Sequence, residues 1–148
     1  MNLCCKNTKM KSAELIYVCI MKKEIIQTNQ APAPIGPYNQ AVKKGGMLFV
    51  SGQIAINPAS GEIENKDIQS ETHQVMHNIK SILQAADMDF SHILKTTIFL
   101  SDMSLFAAVN EIYGQYFQGD FPARETVAVK GLPKNVNVEI SVVAMGDE

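Results

Sequence analysis

Val136-Asn137-Val138-Glu139-Ile140-Ser141-Val142-Val143-Ala144-Met145 alternates with a period of two, the spacing at which side chains leave opposite faces of a β-strand. Val136, Val138, Ile140, Val142 and Ala144 share one face, suited to burial under helices. Asn137, Glu139, Ser141, Val143 and Met145 share the other, which mixes polar and apolar groups. Upstream, Val75, Met76, Ile79, Ile82, Leu83 and Ala86 recur at helical spacing and predict a long helix over 68–86. A second helix is predicted over 105–117, with strands at 93–100 and 126–129.

Before the first helix, Gly45-Gly46 separates 41–44 from 47–56 and signals a hairpin. In 47–56, Leu48, Val50, Ile54 and Ile56 are assigned to one face and Phe49, Ser51 and Gln53 to the other. Gly52 within that strand points to a bulge or to another chain segment passing close. A short strand is expected at 23–28, followed by an ordered irregular loop, because Pro32, Pro34 and Pro37 lack backbone donors. Strands and hairpins separated by two helices make an α+β domain.

Two helices can cover only one face of such a sheet. Alternation assigns Phe49, Ser51 and Gln53, then Lys95, Thr97 and Phe99, then Arg124, Thr126 and Ala128 to the uncovered side. Apolar groups would be stranded there, so a homo-oligomer with polar residues gathered at subunit clefts is expected.

The 148 residues, 46% hydrophobic and 19% charged, suit one globular domain. A formal net charge of −2 does not favour nucleic acid as a partner. No apolar run is long enough to span a membrane, which makes a membrane partner unexpected. Cys4, Cys5 and Cys19 all lie near the start, leaving the rest without thiols for a disulfide framework, as suits a cytoplasmic protein. Residues 1–20 carry three lysines against one glutamate, whereas 21–148 carry ten basic and fourteen acidic groups. Residues 1–20 are therefore read as an N-terminal extension, disordered or arising from an upstream start codon, and 21–148 as the domain.

Arg124 is the one arginine among twelve lysines, and only guanidinium offers a planar fork that holds a carboxylate bidentately. Glu139, flanked by Val138 and Ile140, must either pair with a cation or have a raised pKa, and both outcomes suit a general base. Tyr38 ends the proline loop as a candidate hydroxyl donor. His73 and His77 are spaced for a metal, but they share a polar helix stripe with Lys80 and Gln84, and no metal site is assigned.

Ile35-Gly36-Pro37-Tyr38, Ser51-Gly52-Gln53, Lys95-Thr96-Thr97, Val109-Asn110, Phe121-Pro122-Ala123-Arg124, Leu132-Pro133-Lys134 and Val138-Glu139-Ile140 occur in the order and spacing of the RidA/YjgF family, which residues 21–148 resemble throughout. The resemblance implies a chorismate-mutase-like α+β fold, with two helices on one face of about six strands. It also implies a homotrimer with ligand clefts between subunits, and hydrolytic deamination of 2-imino and enamino acids such as 2-aminoacrylate and 2-iminobutyrate, with no cofactor. By the same resemblance Arg124 binds the substrate carboxylate and Glu139 positions water. Tyr38, Ser51, Gly52, Asn110 and Thr126 line the cleft. Thr126 and Glu125 depart from the family pattern, which commonly has cysteine and a small residue there. A non-catalytic carboxylate binder or regulator is the alternative. A ribonuclease is disfavoured by the single arginine and the absence of an aromatic-basic patch.

Overall fold

The computed structural model describes residues 22–146. The extension assigned to 1–20 lies outside the described residues. Six strands form one sheet: β1 (Glu24–Ile26), β2 (Ala41–Lys44), β3 (Met47–Gln53), β4 (Ile93–Leu100), β5 (Ala123–Ala128) and β6 (Val138–Met145), in the spatial order β1-β2-β3-β6-β4-β5. All neighbours are antiparallel except β4 and β5, whose parallel pairing requires a crossover, supplied by helix α2 (Phe106–Gly114). Helix α1 (Ile68–Ala85) connects β3 to β4.

Local chemistry sets the boundaries. Gly45 and Gly46 take φ of 58° and 77°, a left-handed pair that closes the β2–β3 hairpin in two residues. Asp67 caps α1 by accepting from the Ser70 amide at 2.7 Å, while Ser70 Oγ accepts from the Asp67 amide at 3.2 Å. One apolar core joins α1 (Val75, Met76, Ile79, Ile82, Leu83) and α2 (Val109, Tyr113) to a single sheet face, and Val138, Ile140, Val142 and Ala144 all lie in it as their alternation predicts.

Four expectations need correction. The second helix ends at Gly114 rather than at 117, because Tyr116 and Phe117 leave the helix to pack their rings against Phe90. β3 ends at Gln53, not Ile56, and Gln53 is 5% exposed rather than on the open face. Between Val50↔Val142 and Gln53↔Ile140, β3 uses one more residue than β6, so the bulge at Ser51-Gly52 reverses the alternation beyond it. Ile54 and Ile56, past the strand, pack with Val136 in a separate small cluster.

The fourth correction concerns β5, which begins at Ala123 and not at 126. Its register with β4 sets Arg124 beside Thr96, Thr126 beside Ile98 and Ala128 beside Leu100. Those partners face the helices, so Arg124, Thr126 and Ala128 lie on the helix-bearing side, and Ala123, Glu125 and Val127 occupy the open side. Alternation fixes which residues group together on a strand, but only pairing says which group faces which way. Phe49, Ser51, Lys95, Thr97 and Phe99 were expected on the open face; of these, Phe49 and Lys95 are exposed and Thr97 and Phe99 partly so.

Candidate active site

Glu139 stands on β6 beside Phe99, on the open face. The β3 bulge brings Gly52 beneath it so closely that a Cβ on Gly52 would lie 2.8 Å from the Glu139 Cδ. A side chain at this position would therefore force the Glu139 carboxyl to move. Burial holds the Glu139 carboxyl above the usual carboxylate range, and no cation among the described residues offsets that burial.

The carboxylate forms part of a cleft of about 260 Å³ together with Tyr38, Ser51, Gly52, Ile54, Ile56 and Pro133. Its hydroxyls are already engaged. Ser51 Oγ donates to the Asn39 carbonyl at 2.7 Å, and Tyr38 Oη accepts from the Ile35 amide at 3.2 Å, leaving the phenolic hydrogen free to donate.

Arg124 lies elsewhere. Its guanidinium carbon sits 5.0 Å from the Tyr113 ring centroid and 5.8 Å from that of Phe106, a cation–π arrangement that holds the fork without consuming its donors. Among the described residues it has no ion pair. With Asn110, Tyr113, Gly114, Phe121 and Pro122 it lines a second cleft. Tyr113 is nearly fully buried and donates to Thr96 Oγ1 at 3.0 Å; burial raises its pKa, while that bond and the nearby guanidinium work in the opposite direction.

The sequence-derived residues thus divide into two sets. Tyr38, Ser51, Gly52 and Glu139 share one cleft, and Asn110 and Arg124 share another. Within the chain the Arg124 guanidinium and the Glu139 carboxylate occupy opposite sheet faces, with β4 between their strands. Thr126 lines neither cleft, and its hydroxyl is buried without a hydrogen-bond partner among the described residues. Glu125 points away from Arg124, accepts from Thr97 Oγ1 at 3.0 Å and pairs with Lys95 Nζ at 3.1 Å. These contacts hold its carboxyl below the usual range.

Sequence reasoning missed the aromatic platform under Arg124, although Phe106, Asn110 and Tyr113 fall on one helical stripe at i, i+4 and i+7. His73 and His77 pack against Tyr116, with His73 Nδ1 2.8 Å from the Tyr116 hydroxyl. Among the described residues no group of three His, Cys, Asp or Glu is placed to hold a metal, and no helix is long and apolar enough to cross a membrane.

A six-stranded mixed sheet with two helices on one face, bearing a carboxylate cleft and a separate guanidinium without an ion pair among the described residues, defines a small α+β domain. The family described as Endoribonuclease L-PSP matches residues 28–146, and the chain belongs to it, the RidA/YjgF family. A RutC family protein of Pyrococcus horikoshii is 50% identical over 122 residues, 82% of this chain and 97% of that protein. The 2-iminobutanoate/2-iminopropanoate deaminase of Mus musculus is 43% identical over 123 residues, 83% of this chain and 91% of that protein. The crystal structure of Escherichia coli TdcF with bound serine has a TM-score of 0.81 at 42% identity, covering 84% of this chain and 99% of the other.

Proposed function

We propose that this chain hydrolyses 2-imino acids and their enamino tautomers, such as 2-aminoacrylate and 2-iminobutyrate, to 2-oxo acids and ammonia, in clefts assembled between copies of itself. The observation that carries the proposal is Glu139: a partly buried carboxylate with no cation partner, raised pKa and a cleft around it. Such a group can take a proton at one step and return it at the next. The mouse relative's name and the serine bound in the TdcF crystal add support for a small amino-acid-like ligand.

An imine carbon is already electrophilic, so the reaction requires orientation and proton transfer and needs no cofactor. Arg124 binds the substrate carboxylate through its free fork. The imine nitrogen takes a proton from solvent through the Tyr38 hydroxyl, and the Glu139 carboxylate accepts a proton from water as the water oxygen bonds to the C=N carbon. Glu139 then returns its proton to the carbinolamine nitrogen, the C–N bond breaks as the hydroxyl gives up its proton to solvent to form the 2-oxo C=O bond, and ammonia departs.

Assembly follows from the division of the two sets. Arg124 of one copy meets Glu139 and Tyr38 of the next, in the trimer expected for the family. Pyruvate release from enzymatically generated 2-aminoacrylate is the direct test, with RNA as a control substrate. Wild-type protein that binds 2-oxo acids without accelerating pyruvate release would instead identify a carboxylate-binding regulator.

A further inference from the structure

Gln40 is 2% exposed, yet its side chain makes more polar contacts than any residue of the candidate site. Nε2 lies 3.0 Å from the Thr28 carbonyl, 3.1 Å from that of Ala31 and 2.8 Å from that of Pro32, while Oε1 accepts from the Thr28 amide at 2.7 Å. Two N–H hydrogens shared among three carbonyls leave one bond bifurcated. The orientation is unambiguous, because a flipped amide would set its oxygen against three acceptors. The main chain extends the link: the Gln40 carbonyl accepts from the Ser51 amide at 3.0 Å, and the adjoining Asn39 carbonyl accepts from Ser51 Oγ. One residue thereby joins the base of the proline loop to the bulge that seats Glu139.

Ala31 seats the base of the proline loop in the core, but the loop beyond it has few other anchors. Its prolines donate no hydrogen bonds, and the bonds formed near its tip, Ile35 amide to Tyr38 Oη and Tyr38 amide to the Gly36 carbonyl, are internal to it. Tyr38 is itself 44% exposed, so packing does little to locate its hydroxyl. We infer that Gln40 is a positioning residue: its buried amide fixes the proline loop against the β3 bulge and so sets Tyr38 Oη relative to Glu139. The inference rests on the deaminase reading for its kinetic consequence, not for its structural one.

Two measurements on the full chain separate these consequences. In Gln40→Met, which retains bulk without the amide, exchange of the Ile35 amide is expected to accelerate about tenfold while amides in α1 keep their protection. This amide donates to Tyr38 Oη and not to Gln40, so it reports loop order and not the deleted bonds. Turnover of 2-aminoacrylate is expected to fall about tenfold with a smaller change in KM. In a Tyr38→Phe background the same substitution is expected to cost almost nothing further, since both act through one hydroxyl.

Gln40→Glu serves if the methionine variant does not fold. Its carboxyl, protonated in acid, can still donate to one carbonyl, and ionisation would set a charge against all three. Its turnover relative to wild type should therefore decline as pH rises. Unchanged Ile35 exchange, equal fold-losses in the presence and absence of the Tyr38 hydroxyl, or parallel pH profiles would each overturn the inference. If wild-type protein fails to deaminate, the functional reading falls, and Ile35 exchange alone decides whether Gln40 anchors the loop.

Discussion

Glu139 combines a cost to folding with an expected gain in chemistry. Its folded pKa is raised by burial, so the folded state holds the proton more tightly than the unfolded chain does. The favourable contribution is complete below the unfolded pKa and is lost as pH rises through the folded one. Glu139→Gln, neutral at every pH, should therefore melt at a higher temperature than wild type at about pH 7 and converge with it at about pH 4. The same variant should lose kcat more than it raises KM, and wild-type turnover should drop as acid protonates the carboxylate. Thermal melts and a pH–rate profile measure these effects, and an unchanged kcat would remove Glu139 as the base. Gly52→Ala should mimic the kinetic loss by displacing the carboxylate.

Arg124 presents the opposite case, an exposed charge with its donors free. Lysine cannot stack on Tyr113 and Phe106 as a plane, nor bind a carboxylate bidentately. Arg124→Lys is expected to lower kcat/KM for 2-aminoacrylate by about a hundredfold without changing assembly, as read by pyruvate release and light scattering. Near-wild-type kcat/KM in that variant would contradict the assignment. The lone arginine and the carboxylate in an apolar strand were both visible as sequence anomalies. The rings under Arg124 were not singled out, because a helical aromatic is ordinarily core.

At the scale of elements, the walls of the Glu139 cleft are tied to the fold by buried polar side chains. Asn78 of α1 donates to the carbonyls of Ile54 and Ile56 at 3.0 and 2.9 Å, holding the segment that follows β3, which pairs with residues 62–64 by a single bridge between Ile56 and Ile63. Glu71, with 0% exposure, accepts from the Asn137 and Val138 amides at 2.6 and 3.2 Å and from Asn137 Nδ2 at 2.9 Å, fixing the start of β6 two residues before Glu139. Removing either leaves buried backbone groups unsatisfied. Asn78→Ala is predicted to lower unfolding free energy by about 1–3 kcal/mol in denaturant titration, and a loss near zero would show that water replaces the bonds. None of this was legible beforehand, since Asn78 and Glu71 look like ordinary polar positions on a helix and their partners are backbone groups distant in sequence. Helix α1, the glycine hairpin and β6 were legible, because period, capping and turn chemistry are local.

At the scale of the whole molecule, the strand register aligns Ile25, Val42, Phe49 and Val143 across β1, β2, β3 and β6 on the open face. Phe49 and Ile25 are substantially exposed in the protomer. Such a row favours burial against another copy. On the proposed assembly, Phe49→Asp should shift the protein toward monomer by light scattering and reduce deaminase turnover in parallel, because the Arg124 and Glu139 sets of neighbouring copies would be separated. A monodisperse wild-type monomer at micromolar concentration would undo this account.

The sequence by itself determined the α+β class, the alternation of β6, the hairpin, the first helix and a special backbone position at Gly52, and it singled out the candidate residues for the chemistry. Each depends on interactions within a few residues, or on a side-chain type whose chemistry has no substitute. Only the tertiary structure decided that Arg124 faces the helices, that Gln53 turns inward and that the candidate residues divide between two clefts. These features follow from strand pairing and from one extra residue in one strand, and pairing brings together segments that the chain itself keeps far apart.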